Sequence, residues 1–168
     1  MGETSQKKQA WITSLRLLAA SSKSGHELAR RLDEKGYPKD VIAGTLAELE
    51  KKGLLNDRTY ADQLVAKNVL GRPAGMRKIA FELKRHGIPP KIQEELLARL
   101  TPESEAERAR ELAGRQWERC KPLPLRNRKE KVYDFLIRRG FDFQTAREVV
   151  DQLPGEGGAG EDLEDAPS

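Results

Sequence analysis

An all-α fold of three tandem three-helix repeats, elongated or crescent-shaped, is what this sequence predicts, and three observations carry the prediction. No run of four or more residues alternates apolar and polar side chains, and Val, Ile and Thr are few, so no strand is expected. Three segments superimpose when aligned on Gly36, Gly87 and Gly140, which lie 51 and 53 residues apart. Finally, the 168 residues are 35% charged, 37% hydrophobic and 5% aromatic. That is too little apolar surface for one wide core and enough for small modules that share their contacts.

The alignment has a chemical reason. Eight residues before each glycine stand Leu28, Ile79 and Val132, and four before stand Leu32, Leu83 and Leu136. One after stand Tyr37, Ile88 and Phe141. Ten after stand Leu46, Leu97 and Val150, and thirteen after stand Leu49, Leu100 and Leu153. A glycine just past a helix takes the left-handed conformation at little cost, and an apolar residue behind it folds back on the one four before the glycine. Leu49, Gly53 and Leu54 repeat the device at the end of the third helix. A helix stop alone does not require the matches at eight before, ten after and thirteen after, so they argue for duplication.

The elements follow in order. Residues 1–8 are expected to be disordered. The first helix spans about 9–20, with Trp11, Leu15 and Leu18 on one face. Ser24 and Glu27 form a capping box that opens a second helix, ending near Lys35. Pro38 opens a third, running to about Lys52. Asp57 caps a fourth, which ends before Gly71, and a fifth covers about 75–85. Pro90 opens a sixth that ends near Leu100. Thr101, Pro102 and Glu103 start a seventh, lasting to about Arg119. Pro122 and Pro124 make 120–125 a loop. Two helices follow, about 126–139 and 142–153. The expected divisions are repeats at 9–53, 54–100 and 101–153, then a disordered acidic tail at 154–168.

Lys and Arg number 31 against 27 Asp and Glu, a net charge of +4. The last fourteen residues hold five acids and no base, so without them the charge rises from +4 to +9. A basic body favours an anionic partner, nucleic acid or an acidic protein face. The single cysteine, Cys120, excludes an internal disulfide and fits a reducing compartment. With only His26 and His86 beside it, no metal site and no cofactor is expected. Residues 10–20, the most apolar stretch, are interrupted by Arg16, so no membrane span is expected, and there is no signal-peptide pattern. A soluble cytoplasmic monomer is the reading. There is no phosphate-binding glycine loop, no HExxH and no Ser or Cys nucleophile beside a base, so no catalytic residue is assigned.

The cations cluster. Residues 67–91 hold seven bases and one acid, a local +6, and residues 115–139 hold nine bases and three acids, also +6. In the fifth helix Met76, Ile79, Ala80 and Leu83 form the core-facing arc. Phe81 falls instead among Arg77, Lys78, Lys84 and Arg85, where the other repeats carry Arg30 and Asp134. An aromatic among cations suits stacking on a base beside a phosphate track, or an anchor in a protein interface. Packing under a neighbouring helix is the plain alternative. Glu82 reads as an ion-pair partner of Lys78 or Arg85, Trp11 and Trp117 as packing residues, and Cys120 as an unactivated thiol.

With the repeats in place, the chain resembles the RecX family, modulators of the RecA recombinase, over residues 12–153. The first repeat shows Ser24, Glu27 and Leu28, then Leu32, Lys35, Gly36 and Tyr37, then Leu46 and Leu49. The second shows Gly53-Leu54-Leu55-Asn56-Asp57, Tyr60-Ala61, Arg77, Ile79, Glu82-Leu83 and Gly87-Ile88. The third shows Phe135-Leu136, Arg138-Arg139 and Gly140-Phe141. Two departures touch one surface: Gly71-Arg72-Pro73-Ala74-Gly75 replaces a more glycine-rich approach, and His86 stands where Lys is common.

The resemblance implies a protein without catalysis that binds the RecA filament on single-stranded DNA. It would inhibit filament growth, ATP hydrolysis, strand exchange and cleavage of the SOS repressor. The expected contacts to RecA or DNA are Lys67, Arg72, Arg77, Lys78, Phe81, Lys84 and Arg85, with Arg126, Arg128, Lys131, Arg138 and Arg139 in the third repeat. The alternative is a helical-repeat protein that binds single-stranded DNA or RNA and has no recombinase target.

Overall fold

The structure, a computed structural model, describes residues 2–155. Among the described residues there are nine α-helices and no strand. They are α1 (Glu3–Ala20), α2 (Gly25–Glu34), α3 (Lys39–Lys51), α4 (Asp57–Ala66), α5 (Met76–Arg85), α6 (Pro90–Leu97), α7 (Pro102–Arg119), α8 (Leu125–Arg138) and α9 (Phe143–Asp151). A π-helical segment, Lys67–Gly71, continues α4. The acidic residues 156–168 lie outside the described residues.

All four glycine stops form as their sequence context demands. Gly36, Gly53, Gly87 and Gly140 have φ of +82°, +71°, +66° and +85°. In each case the residue after the glycine donates its amide to the carbonyl four before it. These bonds are Tyr37 to Leu32 (3.2 Å), Leu54 to Leu49 (2.9 Å), Ile88 to Leu83 (3.1 Å) and Phe141 to Leu136 (3.2 Å). The glycine amide itself bonds the carbonyl three back, which completes the Schellman pattern. The aligned apolar positions are interior: Leu28, Leu32, Ile79, Leu83, Val132 and Leu136 are fully buried.

The helices fall into two compact units that do not coincide with the repeats. One holds the chain up to Gly71 together with Ala80–Arg99, and the other holds Arg72–Ile79 and the chain from Leu100 onward. The division passes through α5.

In the first unit α1, α2 and α3 pack on one another and α4 packs on α6. The core is Leu28, Leu32, Ile42, Leu49 and Leu55, flanked by Trp11, Leu17, Leu18 and Tyr37. Three sequence expectations change here. Helix α1 begins at Glu3, ahead of the expected start, because no glycine or proline interrupts residues 3–20 and the anchored C-terminal part propagates helix into a solvated stretch. Ala10 and Ser14 are its fully buried positions and the expected Trp11 and Leu18 pack against the core, while Leu15 is 38% exposed. Ser14 is tolerated inside because its hydroxyl donates to the Ala10 carbonyl at 2.7 Å. Asn56, not Asp57, caps α4, accepting from the Thr59 amide at 3.1 Å. Asp57 instead reaches back to α2 and accepts from the Gly25 amide at 2.7 Å.

The capping box at Ser24 and Glu27 forms, and the same residues join the first repeat to the second. The Ser24 hydroxyl donates to the His86 carbonyl at 2.6 Å. His86 Nδ1 lies 2.7 Å from Glu27 Oε1 and 3.0 Å from the Tyr60 hydroxyl. Burial raises the Glu27 carboxyl, but the Ser24 amide and His86 outweigh it and hold it below the usual range. Burial, reinforced by the charge of Glu27, pushes the Tyr60 phenol up to about 12.

In the second unit α7, α8 and α9 pack mutually. Their core is Ala109, Leu112, Ala113, Trp117, Val132, Leu136, Phe141, Val149 and Val150. Phe141 is fully buried, which stabilises the unit by roughly 1.5–3 kcal/mol. The loop before α5 docks on the stop of α8: the Gly75 amide donates to the Arg139 carbonyl at 2.9 Å. Gly75 is twelve residues before its repeat's glycine, the position Ser24 holds in the first repeat, and each bonds the carbonyl just ahead of the next repeat's glycine. A Cβ on Gly87 would stand 2.3 Å from His26, and one on Gly140 would stand 2.4 Å from the Lys78 Cβ, whereas one on Gly53 would meet nothing within 4 Å.

These contacts separate two costs. Gly53→Ala is expected to lower the unfolding free energy by about 1–2 kcal/mol, the left-handed strain alone. Gly87→Ala and Gly140→Ala should each lose about 2–4 kcal/mol, as measured by urea unfolding. Equal losses at the three sites would show that the close approach is relaxed without cost. For Glu27, a depressed folded pKa means that its stabilisation is complete above about pH 4.5 and is lost as the pH falls through the folded value. The acid limb of the wild-type stability curve should therefore be steeper than that of Glu27→Gln, and superimposable limbs would exclude this role.

Candidate functional site

Twelve residues were expected on the binding surface, and the structure divides them by what else they touch. In the second unit, Arg72, Pro73 and Ala74 precede the first turn of α5, and three side chains hold this segment. Arg139 Nε donates to the Pro73 carbonyl at 3.0 Å. Glu105, buried on α7, accepts from the Met76 amide at 2.8 Å and so satisfies one free donor at the start of α5. Arg108 Nε donates to the Ala74 carbonyl at 3.4 Å, and burial lowers its guanidinium despite the opposing charge of Glu105.

The segment is thereby pinned beside the stop of α8, and Arg72, Arg77, Lys78 and Arg139 come together. Lys78 packs its backbone and Cβ against Gly140. The Arg77 guanidinium lies over the ring of Phe143, 5.3 Å from its centroid. Phe143 opens α9 and is 60% exposed, although Phe141, two residues earlier, fills the core. Asp142 caps α9: its Oδ1 accepts from the Gln144 and Thr145 amides at 2.9 Å, and its Oδ2 accepts from the Thr145 hydroxyl at 2.6 Å. The Thr145 hydroxyl leads in holding that carboxyl below its usual range. The charge is thus engaged by its own helix.

Phe143 is the residue the sequence reading missed. It stands three residues after Gly140, where the other repeats have Lys39 and Pro90. The departure from the repeat that singled out Phe81 would have found it.

Two expected contact residues are structural. Arg128 stacks on Trp117 at 3.5 Å and its Nε donates to the Trp117 carbonyl at 2.9 Å, leaving its side chain 15% exposed. Arg139 is the clasp just described. Arg72, Arg126, Lys131 and Arg138 are exposed and form no side-chain ion pair among the described residues. Lys131 and Arg138, seven residues apart on α8, share a stripe.

The remaining candidates belong to the first unit. Lys67 opens the π-helical segment and is exposed. On α5, Phe81 is 62% exposed rather than packed, and Lys84 is exposed beside it. Arg85 pairs with Glu82 at 2.6 Å, the partnership expected of that glutamate. Trp11 and Trp117 both pack, as expected, and Cys120 is buried. Among the described residues no group of three His, Cys, Asp or Glu side chains could hold a metal ion, and no helix is long and apolar enough to cross a membrane.

Models of the first, second and third RecX three-helix domains match residues 10–49, 56–97 and 103–150, in that order. Regulatory protein RecX of Chlorobaculum tepidum is 34% identical over 157 residues, covering 94% of this chain and 96% of the relative. That of Chlorobium limicola is 33% identical over 152 residues, covering 88% and 91%. The crystal structure of RecX from Lactobacillus salivarius superimposes with a TM-score of 0.76 over 90% of this chain and 98% of that one, at 22% identity.

The distinction between structural and exposed cations is measurable. Arg128→Ala and Arg139→Ala are each expected to lower the unfolding free energy by about 1–3 kcal/mol, through lost packing and unmet backbone carbonyls. Arg126→Ala, Lys131→Ala and Arg138→Ala should stay within about 0.5 kcal/mol of wild type. Thermal or urea unfolding checks both, and a neutral Arg128→Ala would return that residue to the free surface.

Proposed function

The chain belongs to the RecX family of regulatory proteins, and from that premise we propose that it binds the RecA filament on single-stranded DNA and restrains it. The observation that carries the reading is the run of three RecX domains in order along the chain. The charge supports it: without the acidic tail the body carries +9, and exposed cations occur on each compact unit. A polymer offers the same site repeatedly. A chain with two cationic units can engage neighbouring positions at once, so the second contact is intramolecular and strengthens the first. Occupancy of this kind hinders the subunit addition and rearrangement on which filament growth, ATP turnover, strand exchange and repressor cleavage depend.

The contact residues we propose are Lys67, Arg72, Arg77, Lys78, Phe81, Lys84 and Arg85, with Arg126, Lys131 and Arg138. Arg128 and Arg139 support them by shaping the second unit. The protein acts as a cytoplasmic monomer and without catalysis of its own.

The test is RecA ATP hydrolysis on single-stranded DNA. Wild-type protein should inhibit it. The quadruple variant Lys84→Glu, Arg126→Glu, Lys131→Glu, Arg138→Glu, whose positions make no ion pair that the fold needs, should require roughly 10-fold more protein for half inhibition at low salt, with helicity by circular dichroism retained. Unchanged inhibition would remove the proposed surface. Salt-sensitive binding to bare strands with no effect on RecA would favour the nucleic-acid-binding alternative.

A further inference from the structure

We propose that Phe143 and Arg77 form a stacking step for one base of single-stranded DNA, so that the second unit grips the strand itself. The inference rests on the filament reading above and names the strand as a direct ligand of that surface. An aromatic ring left 60% exposed forgoes the burial that Phe141 obtains two residues earlier, and this part of the fold does not use it. One face is covered by the Arg77 guanidinium at 5.3 Å and the exposed remainder is open. A base stacked on that ring would be sandwiched with a cation polarising the platform, and any base fits because each has a π-face.

The surroundings favour a phosphate chain. Arg147 stands one turn along α9 from Phe143 and is exposed. Arg72 and Lys78 are fixed nearby by the pinned segment and by Gly140. The acid closest in sequence, Asp142, spends its charge on its own helix. The hollow between α7 and α9 carries Glu103, Glu107, Asp142 and Glu148 against one cation, Arg110, a net negative lining that disfavours phosphate. The side of Arg77 and Arg147 is the more favourable for a strand, with Lys129 and Arg147 balancing Glu130 and Asp151 in the hollow they line. A duplex keeps its bases stacked and cannot offer one to the ring, so the ligand is single-stranded.

The experiment uses the full chain without RecA and two labelled probes in fluorescence anisotropy: oligo(dT), and the same length of backbone carrying abasic sites, which preserves every phosphate. Wild type should bind oligo(dT) about 5- to 10-fold more tightly than the abasic probe. Phe143→Ala should abolish that difference and leave the salt dependence unchanged. Phe143→Trp should keep the difference, and circular dichroism should show both variants folded. Equal binding of the two probes by wild type, or full discrimination by Phe143→Ala, would overturn the proposal. So would a Phe143→Ala variant that loses RecA inhibition while binding oligo(dT) as wild type does, which would assign the ring to a protein surface. RecA ATPase inhibition measured in parallel separates the two readings. Inhibition without base discrimination by wild type removes the stacking step alone, and discrimination without inhibition removes the filament reading alone.

Discussion

The missing Cβ of a left-handed glycine is the constraint on which this architecture depends. At Gly36 and Gly53 it ends a helix and no more, since open space surrounds the position. At Gly87 and Gly140 the same residue also admits the start of a helix from the preceding repeat to a distance that no side chain would allow. A helix end is rich in unmet carbonyls, and the approaching segment supplies a donor: the Ser24 hydroxyl in one unit and the Gly75 amide in the other. Steric permission and hydrogen-bond need therefore meet at one residue, and the contact can recur without any further sequence match.

A second economy concerns arginine. Buried and half-buried guanidinium groups secure the second unit: Arg139 holds the segment before α5, Arg108 supports it from α7, and Arg128 covers Trp117. Arg139 meets the Arg72 and Pro73 carbonyls from one rigid plane, and Arg108 and Arg128 meet one carbonyl each. Arg72, Arg126, Lys131 and Arg138 are a different population, exposed and in no side-chain ion pair among the described residues, so their charge remains available to an external anion at little cost to folding.

How much of this was legible in the sequence depends on the range of the interaction. The stops at Gly36, Gly53, Gly87 and Gly140 and the caps at Ser24 and Thr101 are set within a few residues, and they were readable. The inward face of α1 was readable at Trp11 and Leu18 but not at Leu15, because the interior selected Ala10 and Ser14 over that bulkier residue, and the choice depends on the helices packed against it. Nor was the use of Asp57, whose partner is 32 residues away. Composition showed where the cations cluster but could not separate Arg128 and Arg139 from Lys131 and Arg138, since only the fold shows which of them face a carbonyl or an indole. Phe143 was legible as a departure from the repeat, standing where the others have Lys39 and Pro90, but its exposure was not, since only the fold shows that the ring stays out of the core.

The compact units cut across the duplicated segments, with the boundary inside α5. What was copied in the history of this chain is therefore not what becomes stable together. A segment excised at the limits of the middle repeat would take part of each neighbour's interior with it and leave both incomplete. Loss or gain of one copy is then disfavoured at the level of folding, which gives the number of copies a physical reason to persist while the surfaces they present diverge.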